Sequence, residues 1–446
     1  MKRIIAIAAS CMLTACSLVP EYQRPSMNLP ESWRSENAEV QQTPANWWKQ
    51  FGSDELNMLV DDALKQNHSL RAGLARVEQA RASTAIAGAP LLPQASASGN
   101  ASRSDTDTSS ADTSARLQGT LSYEVDLFGK NRAGLQAADE RLEASQYDLQ
   151  ALAIITAGDV AQAYFSTIAL RERLAIAEKN LKNAEEVLAI VEAQQREGRL
   201  SPLEVTQQRS ALASNRAQLA TYENQLAASI NQLAVLTGRA PASFTAPQGN
   251  LAAITTPDIA PTLPATLIEQ RPDIQASEAQ LKAANADIGA ARAAFFPSLT
   301  LSANAALLAS PSGVATGLVA SMLAPIFQGG RLEGELDRST ARQRELAENY
   351  QQTVLTAFRE VEDALAGIKA SAERQTQFDI ASTQSAEAYR IARARYDAGA
   401  SDFQALLETQ RAQFQADDGA VQARLERLNA ATQLYRALGG GVSRTE

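Results

Sequence analysis

Cysteine and histidine are nearly missing from this sequence of 446 residues: Cys11 and Cys16 stand near the start, and His68 is the one histidine. Beyond Cys16, therefore, no disulfide framework, thiolate metal site or dithiol redox pair can form. His68 follows Asn67 at the start of a helical pattern, with no cysteine nucleophile, metal-ligand cluster or phosphate-cradling glycine loop to work with. The chain is thus expected to be no enzyme and to hold no cofactor or metal. The serines between Ser96 and Ser114 lack a nearby base and belong to strand and loop patterns, and five methionines give no support for a soft-metal carrier. Aromatic residues make up 5%, poor material for a thick globular core, whereas the abundant alanine suits long helices packed closely. Positive charge is also short: 41 Lys and Arg against 50 Asp and Glu leave net −9, a sign that argues against nucleic acid as a partner.

What is present begins with an export signal. Lys2 and Arg3 precede an apolar run from Ile4 to Leu13 that leads into Leu13-Thr14-Ala15-Cys16. A run of about 10 residues is too short to cross a hydrocarbon core of about 30 Å, whereas a basic start, a short apolar stretch and small residues at its end make a secretory leader over 1–15. Loss of Lys2 and Arg3 with that leader makes the mature chain more acidic still. Leu-Thr-Ala-Cys resembles the bacterial lipobox, which implies acylation of Cys16; an ordinary signal peptide with an incidental cysteine is the alternative. Ser17 stands where an aspartate would favour the inner membrane, and by the same resemblance this implies anchoring among outer-membrane lipids.

Residues 16–50 are rich in Pro, Glu and Gln, and Pro20, Pro25, Pro30 and Pro44 are spaced so that no helix persists. An extended strap is expected. Trp47-Trp48 and Phe51 end it, either docking the strap onto the body or forming a plain hydrophobic staple before the first helix. A duplication follows. Asn67–Ala101 matches Arg271–Ala305 at a shift of about 204, pairing Leu70 with Ile274, Pro93 with Pro297 and Asn100 with Asn304. At a shift of about 201, Gly198 pairs with Gly399 and Gly238 with Gly439. The division is a first repeat over 51–238, a connector over 239–263 carrying Pro241, Pro247, Pro257 and Pro261, a second repeat over 264–439 and a tail over 440–446.

Each repeat has the same order. An amphipathic helix (about 54–89, and 273–294) ends ahead of Pro93 or Pro297. A strand pair comes next, about 92–128 and 297–327. In 116–127, Leu117, Leu121, Tyr123, Val125 and Leu127 alternate with Arg116, Gln118, Thr120, Ser122, Glu124 and Asp126. In 298–307, Leu299, Leu301, Ala303, Ala305 and Leu307 alternate with Ser298, Thr300, Ser302 and Asn304. That period of two means strands with one apolar and one polar face. The alternation is weak in 94–103 and nearly absent in 317–327, so those strands rest on the duplication. Asp105–Asp112 and Ser310–Gly313 are expected as exposed loops.

Proline-free helical patterns then run over about 130–197 and 330–398, each around 100 Å long. Leu170, Leu174, Ala177, Leu181, Ala184, Leu188 and Val191 step as a coiled-coil seam. Gly198 with Pro202, and Gly399, turn the chain back, giving helix hairpins over about 130–237 and 330–438. On the return helices Val205, Leu212, Leu219, Leu226 and Leu233, and then Leu407, Phe414, Val421, Leu428 and Tyr435, recur every seven residues. The expected fold class is mainly α with a transmembrane β part. An open sheet edge inside a bilayer leaves backbone donors and acceptors unpaired at several kcal/mol each, so the strands must close into a barrel. Four strands are too few, since the smallest membrane barrels have about eight; a dimer would supply about eight and a trimer about twelve.

Gln270-Arg271-Pro272-Asp273-Ile274, with Glu278, Leu281, Ala284, Ile288-Gly289 and Phe295-Phe296-Pro297-Ser298-Leu299, resembles the signature of the TolC-like outer-membrane efflux factors. Tyr123–Gly129, Pro325–Arg331 and Arg359–Ala364 extend the likeness, which runs from about Trp47 to Gly441. With the lipobox, the chain is most similar to the lipoprotein branch serving drug-exporting pumps. The resemblance implies a homotrimer whose twelve-stranded outer-membrane β-barrel is continuous with a periplasmic α-helical barrel. It also implies a periplasmic adaptor and an inner-membrane RND-type pump as partners, and a passive exit duct for drugs or other small molecules. A protein-secretion duct of the same family and a periplasmic coiled-coil adaptor lipoprotein are the alternatives; duplicated strand pairs count against the latter. The motif residues also have local roles: Pro272 suits a first helical turn, Asp273 the positive end of the dipole, and Gly129 and Gly329-Gly330 a bend from strand to helix.

A duct open at all times leaks, so its inner end is expected to close at the hairpin tips, Gly198 and Gly399. By the resemblance, Arg395 and Tyr396 match an inter-helix polar lock, and Gln404 and Glu408 match the narrowest rings. Relatives often place an apolar residue and an aspartate at those two positions, and this sequence departs from that seal. Three copies of Glu408, helped by Asp402, would make an acidic constriction that attracts cations, with like-charge repulsion keeping the closed state only marginally favoured. Solvated hairpin charges are the alternative reading.

Overall fold

Capping side chains, prolines and glycines set the ends of the elements. The computed structural model describes residues 18–28, 30, 32–34, 44–106, 109–259, 264–309 and 312–440. The leader, Cys16, residues 35–43 of the strap, 260–263 of the connector, the loop tips 107–108 and 310–311 and the tail from 441 lie outside the described residues. In chain order the elements are α1 (Asp54–Gln66), α2 (His68–Gly88), β1 (Gln94–Thr106), β2 (Ser109–Val125), α3 (Lys130–Arg196), α4 (Pro202–Leu236), α5 (Pro264–Gln270), α6 (Pro272–Ala293), β3 (Ser298–Ala309), β4 (Ser312–Leu323), α7 (Arg331–Asp397) and α8 (Phe403–Ala437). α3 and α7 are 67 residues each, and α4 and α8 are 35 each.

Where one helix is expected over 54–89, two form. Asn67 leaves the helical region, and its Oδ1 accepts the N–H groups of Ser69 and Leu70 at 2.8 and 3.2 Å, restarting the chain as α2. Its Nδ2 donates to the Leu236 carbonyl at 2.8 Å. His68 is therefore simply the first residue of α2.

Contacts divide the chain into two units. The first holds Leu74–Asp148, Asp273–Val354 and the described part of Met1–Asn28. Its sheet has the order β1-β2-β3-β4, antiparallel throughout. Leu117 lies opposite Leu307, Leu121 opposite Ala303 and Tyr123 opposite Leu301, so the odd positions of β2 and β3 share one apolar face. β1 lends that face the small residues Ala95, Ala97 and Gly99, and β4 lends it Val314, Leu318 and Met322. This face is open: Leu117 is 55% exposed and Leu318 88%. The other face carries Ser96, Ser98, Asn100, Arg116, Gln118, Thr120, Thr300, Ser302 and Asn304.

The expected loops are mostly strand. β1 continues to Thr106 with an irregularity after Ser104, and Ser312 and Gly313 pair with Ala309 and Leu308. Serine and threonine serve a ladder as well as a turn, as in the 2.8 Å contact between the Ser102 and Ser114 hydroxyls across the strands. At the bend into α3, Asp126 Oδ1 and Oδ2 accept the Asn131 and Arg132 N–H groups at 3.1 and 2.9 Å. Gly129 there has φ 74°, and Phe128 stacks on Phe296 with centroids 4.7 Å apart.

The second unit holds Leu149–Pro272, Leu355–Glu446 and the described part of Leu29–Gly73. Trp47, Trp48 and Phe51 are buried in its core with Tyr164, Phe165, Leu233 and Tyr435, and Trp47 stacks on Tyr435 at 5.1 Å. These aromatics dock the end of the strap onto α3, α4 and α8, a larger role than stapling α1. Farther back, Trp33 meets Phe358 edge-on at 5.7 Å and the Arg34 N–H donates to Glu362 at 3.0 Å. Arg271 donates to the Ala437 carbonyl at 2.9 Å and to Glu360 at 2.8 Å, closing the end of α8.

Candidate functional site at the helix-hairpin tips

Both hairpins turn by the same device. Gly198 has φ 74° and Gly399 φ 69°. The N–H groups of Arg199 and Gly198 reach the Gln194 and Gln195 carbonyls, each at 2.9 Å, and those of Ala400 and Gly399 reach the Arg395 and Tyr396 carbonyls at 2.8 and 2.9 Å. This is the paired-bond helix ending that a left-handed glycine permits, and it satisfies carbonyls the helix leaves free. A Cβ at either glycine would meet nothing within 4 Å, so backbone handedness, not space, demands glycine there. The return helices start on side-chain caps: Ser201 Oγ accepts the Leu203 N–H at 3.2 Å, and Asp402 Oδ1 accepts the Ala405 N–H at 2.9 Å.

The two tips pack on each other. Val187, Val191 and Val205 of the first hairpin and Tyr396, Phe403, Leu406 and Leu407 of the second form one buried apolar cluster. Tyr396 and Phe403 meet edge-on at 6.3 Å, and the Tyr396 hydroxyl donates to Gln194 Oε1 at 2.8 Å. Burial, followed by the charges of Asp397 and Glu204, raises the Tyr396 pKa, so the phenol keeps its proton and remains a donor. Asp397 itself pairs with Arg393 at 3.2 Å.

Of the residues singled out in sequence, Tyr396 is buried between the hairpins, whereas Arg395 is exposed and makes no ion pair among the described residues. Asp402, Gln404 and Glu408 lie on the exposed side of α8, and Gln404 Nε2 donates to Glu408 Oε1 at 2.9 Å. Asp402 has a local job as the cap of α8.

Two features escaped sequence reasoning. Gln194, the partner of Tyr396, sits 202 positions away. Higher along the helices, Arg173 binds both oxygens of Asp418 at 2.7 and 3.1 Å, while Tyr222 donates to Asp418 at 2.8 Å and accepts from Arg173 at 3.0 Å. The guanidinium also lies 4.5 Å from the Tyr222 ring centroid. Burial opposes the Arg173 charge, but the bonds to Asp418 and its charge outweigh that and raise the pKa. The cluster knits α3, α4 and α8. The faint signal for it was a charge beside a seam residue, Arg173 next to Leu174.

Residues 59–239 and 263–440 match the family described as outer membrane efflux protein. The chain belongs to that family. This efflux protein is 40% identical over 468 residues to the pyoverdine export outer membrane protein OpmQ of Pseudomonas aeruginosa, covering 99% of this chain and 97% of the relative. It is 34% identical to the outer membrane protein OprJ of the same organism, covering 98% and 95%. Its fold is similar to that of the Campylobacter jejuni CmeC outer membrane channel, with TM-score 0.89, 26% identity and coverage of 97% and 96%. The efflux protein thus works in the outer membrane as a component of an efflux pump.

Proposed function

We propose that three copies of this chain join their four-stranded sheets into one twelve-stranded barrel, with the helix hairpins continuing it as a periplasmic tunnel. The assembly passively conducts small molecules delivered by an inner-membrane RND-type pump through a periplasmic adaptor. The observation that carries this reading is the sheet: four strands, an exposed apolar face, and outer edges of β1 and β4 without a partner among the described residues. Such edges are costly in lipid, and other copies of the same sheet remove them. The two repeats, 51–238 and 264–439, each supply one strand hairpin and one helix hairpin. The leader 1–15 is removed, and acylation of Cys16 adds a lipid anchor.

Passage is controlled at the tips. Tyr396, with Arg395 beside it, locks one hairpin to the next, and Glu408 with Gln404 and Asp402 lines an acidic constriction about the axis. OpmQ is named for pyoverdine export, which supports small organic molecules as cargo and weighs against protein secretion. The exposed apolar sheet face weighs against a coiled-coil adaptor. Purified in detergent, the mature protein is expected to have the mass of three chains and to open conducting channels in a planar bilayer. A water-soluble single chain without conductance overturns the reading.

A further inference from the structure

The first segment of the strap is held on α6 side chain by side chain. Arg24 donates from Nε and Nη2 to the two oxygens of Glu278 at 2.9 and 2.8 Å, and the Tyr22 hydroxyl donates to Glu278 Oε1 at 3.2 Å. The Glu278 side chain is only 10% exposed. Asn285 Nδ2 donates to the Pro20 carbonyl at 2.6 Å, and the Lys282 ammonium lies 5.8 Å from the Tyr22 ring centroid. Val19 lies so close to Gly289 that a Cβ there would clash with a Val19 methyl carbon and come within 2.8 Å of its Cα. Glu278, Lys282, Asn285 and Gly289 step along one face of the helix. A bidentate, charge-assisted pair adds geometric selectivity as well as strength.

The duplication supplies an internal comparison. At the shift of about 204, Glu278, Asn285 and Gly289 correspond to Leu74, Arg81 and Ala85 on α2. That face has Leu74 where α6 has Glu278, its carboxylate one turn on at Glu78 where α6 has Lys282, and a methyl group at Ala85 where the strap backbone has to pass.

We infer that α6 bears a built peptide site whose ligand is the chain's own Val19–Arg24 segment, and that Glu278 is the positioning residue for the lipid anchor. Two residues lie between Cys16 and Val19, so their Cα atoms are at most about 11 Å apart. The site on α6 therefore limits the anchor to within about 11 Å of Val19, which packs against Gly289 on the helix that precedes β3. The anchoring role rests on the acylation proposed above; the peptide site does not.

Chymotryptic cleavage after Tyr22, followed by mass spectrometry on the full purified channel in detergent, tests the inference. Wild type and Cys16→Ser, the latter expressed behind a non-lipoprotein leader, are expected to be cleaved equally slowly. Arg24→Ala and Glu278→Gln are expected to be cleaved at least about tenfold faster, since each breaks the charge-assisted bidentate pair. Arg24→Lys should fall between them, and Leu74→Glu on α2 should match wild type. Arg24 is half exposed on the strap itself, so its substitution leaves the body folded. Equal cleavage of wild type and Arg24→Ala overturns the inference, as does faster cleavage of Cys16→Ser, which would assign the hold to the lipid. Conductance of the same preparations is read separately, so a non-conducting channel with a protected strap counts against the proposed function alone.

Discussion

The Tyr396 hydroxyl donates to Gln194 Oε1 at 2.8 Å, joining the end of α7 to the end of α3. Tyr396→Phe keeps the ring against Phe403 and deletes a bond worth about 1 kcal/mol. Larger single-channel conductance is expected from Tyr396→Phe and equally from Gln194→Ala, with the double variant no more open than either, because both remove the same contact. Wild-type conductance in both single variants would remove the lock from the mechanism.

Charge at the proposed constriction is separable from helix capping. Asp402→Asn keeps a capping oxygen and loses the charge, whereas Asp402→Ala loses both and costs about 1 kcal/mol of helix stability. Glu408→Ala and Asp402→Asn are expected to reduce cation preference, read as a shift in reversal potential across a salt gradient. If current and ion preference are unchanged in Glu408→Ala and Arg395→Ala, those residues are solvated hairpin charges.

The Arg173, Asp418 and Tyr222 cluster is largely withdrawn from water, so breaking it from one side leaves a stranded charge. Arg173→Met is expected to destabilise the helix bundle by about 3 kcal/mol. The double variant Arg173→Met with Asp418→Leu should cost less than Arg173→Met alone, because neither charge is then left unpaired. Thermal unfolding of the purified channel in detergent checks the order; a double variant weaker than the single one contradicts it.

Tyr164 and Tyr435 are both pushed up from 10.0 to about 12, chiefly by burial. The fold favours their protonated forms, so that stabilisation is complete below pH 10 and is lost as pH rises through about 12. Stability is expected to fall across that interval, with part of the slope removed by Tyr435→Phe. Tyrosinate absorbance followed alongside unfolding measures it, and ionisation of every tyrosine near 10.0 in the folded protein would refute it.

How much was legible differed from strand to strand. In β2 and β3 apolar and polar residues alternate because the two faces meet different surroundings. β4 escapes that rule: Leu318 and Met322 lie on the apolar face, but Val319 and Leu323 sit opposite Ser302 and Ser298 on the other one. The duplication pointed to the strand, but which of its residues share each face depended on pairing register, which no single segment contains. The break at Asn67 was hidden because apolar spacing continues on both sides, although Asn67 caps α2 through the Ser69 and Leu70 N–H groups and is tied to the Leu236 carbonyl 169 positions on.

The sequence by itself determined local features: most helix ends, where glycine must turn a hairpin, and which face of β2 and β3 is apolar. Each follows from backbone sterics or side-chain periodicity within a few consecutive residues. Tertiary structure decided the pairings between distant segments: Gln194 with Tyr396, Arg173 with Asp418, and Arg24 with Glu278. A hydrogen bond depends on distance and angle in space, and residues more than 200 positions apart carry no trace of either in their spacing.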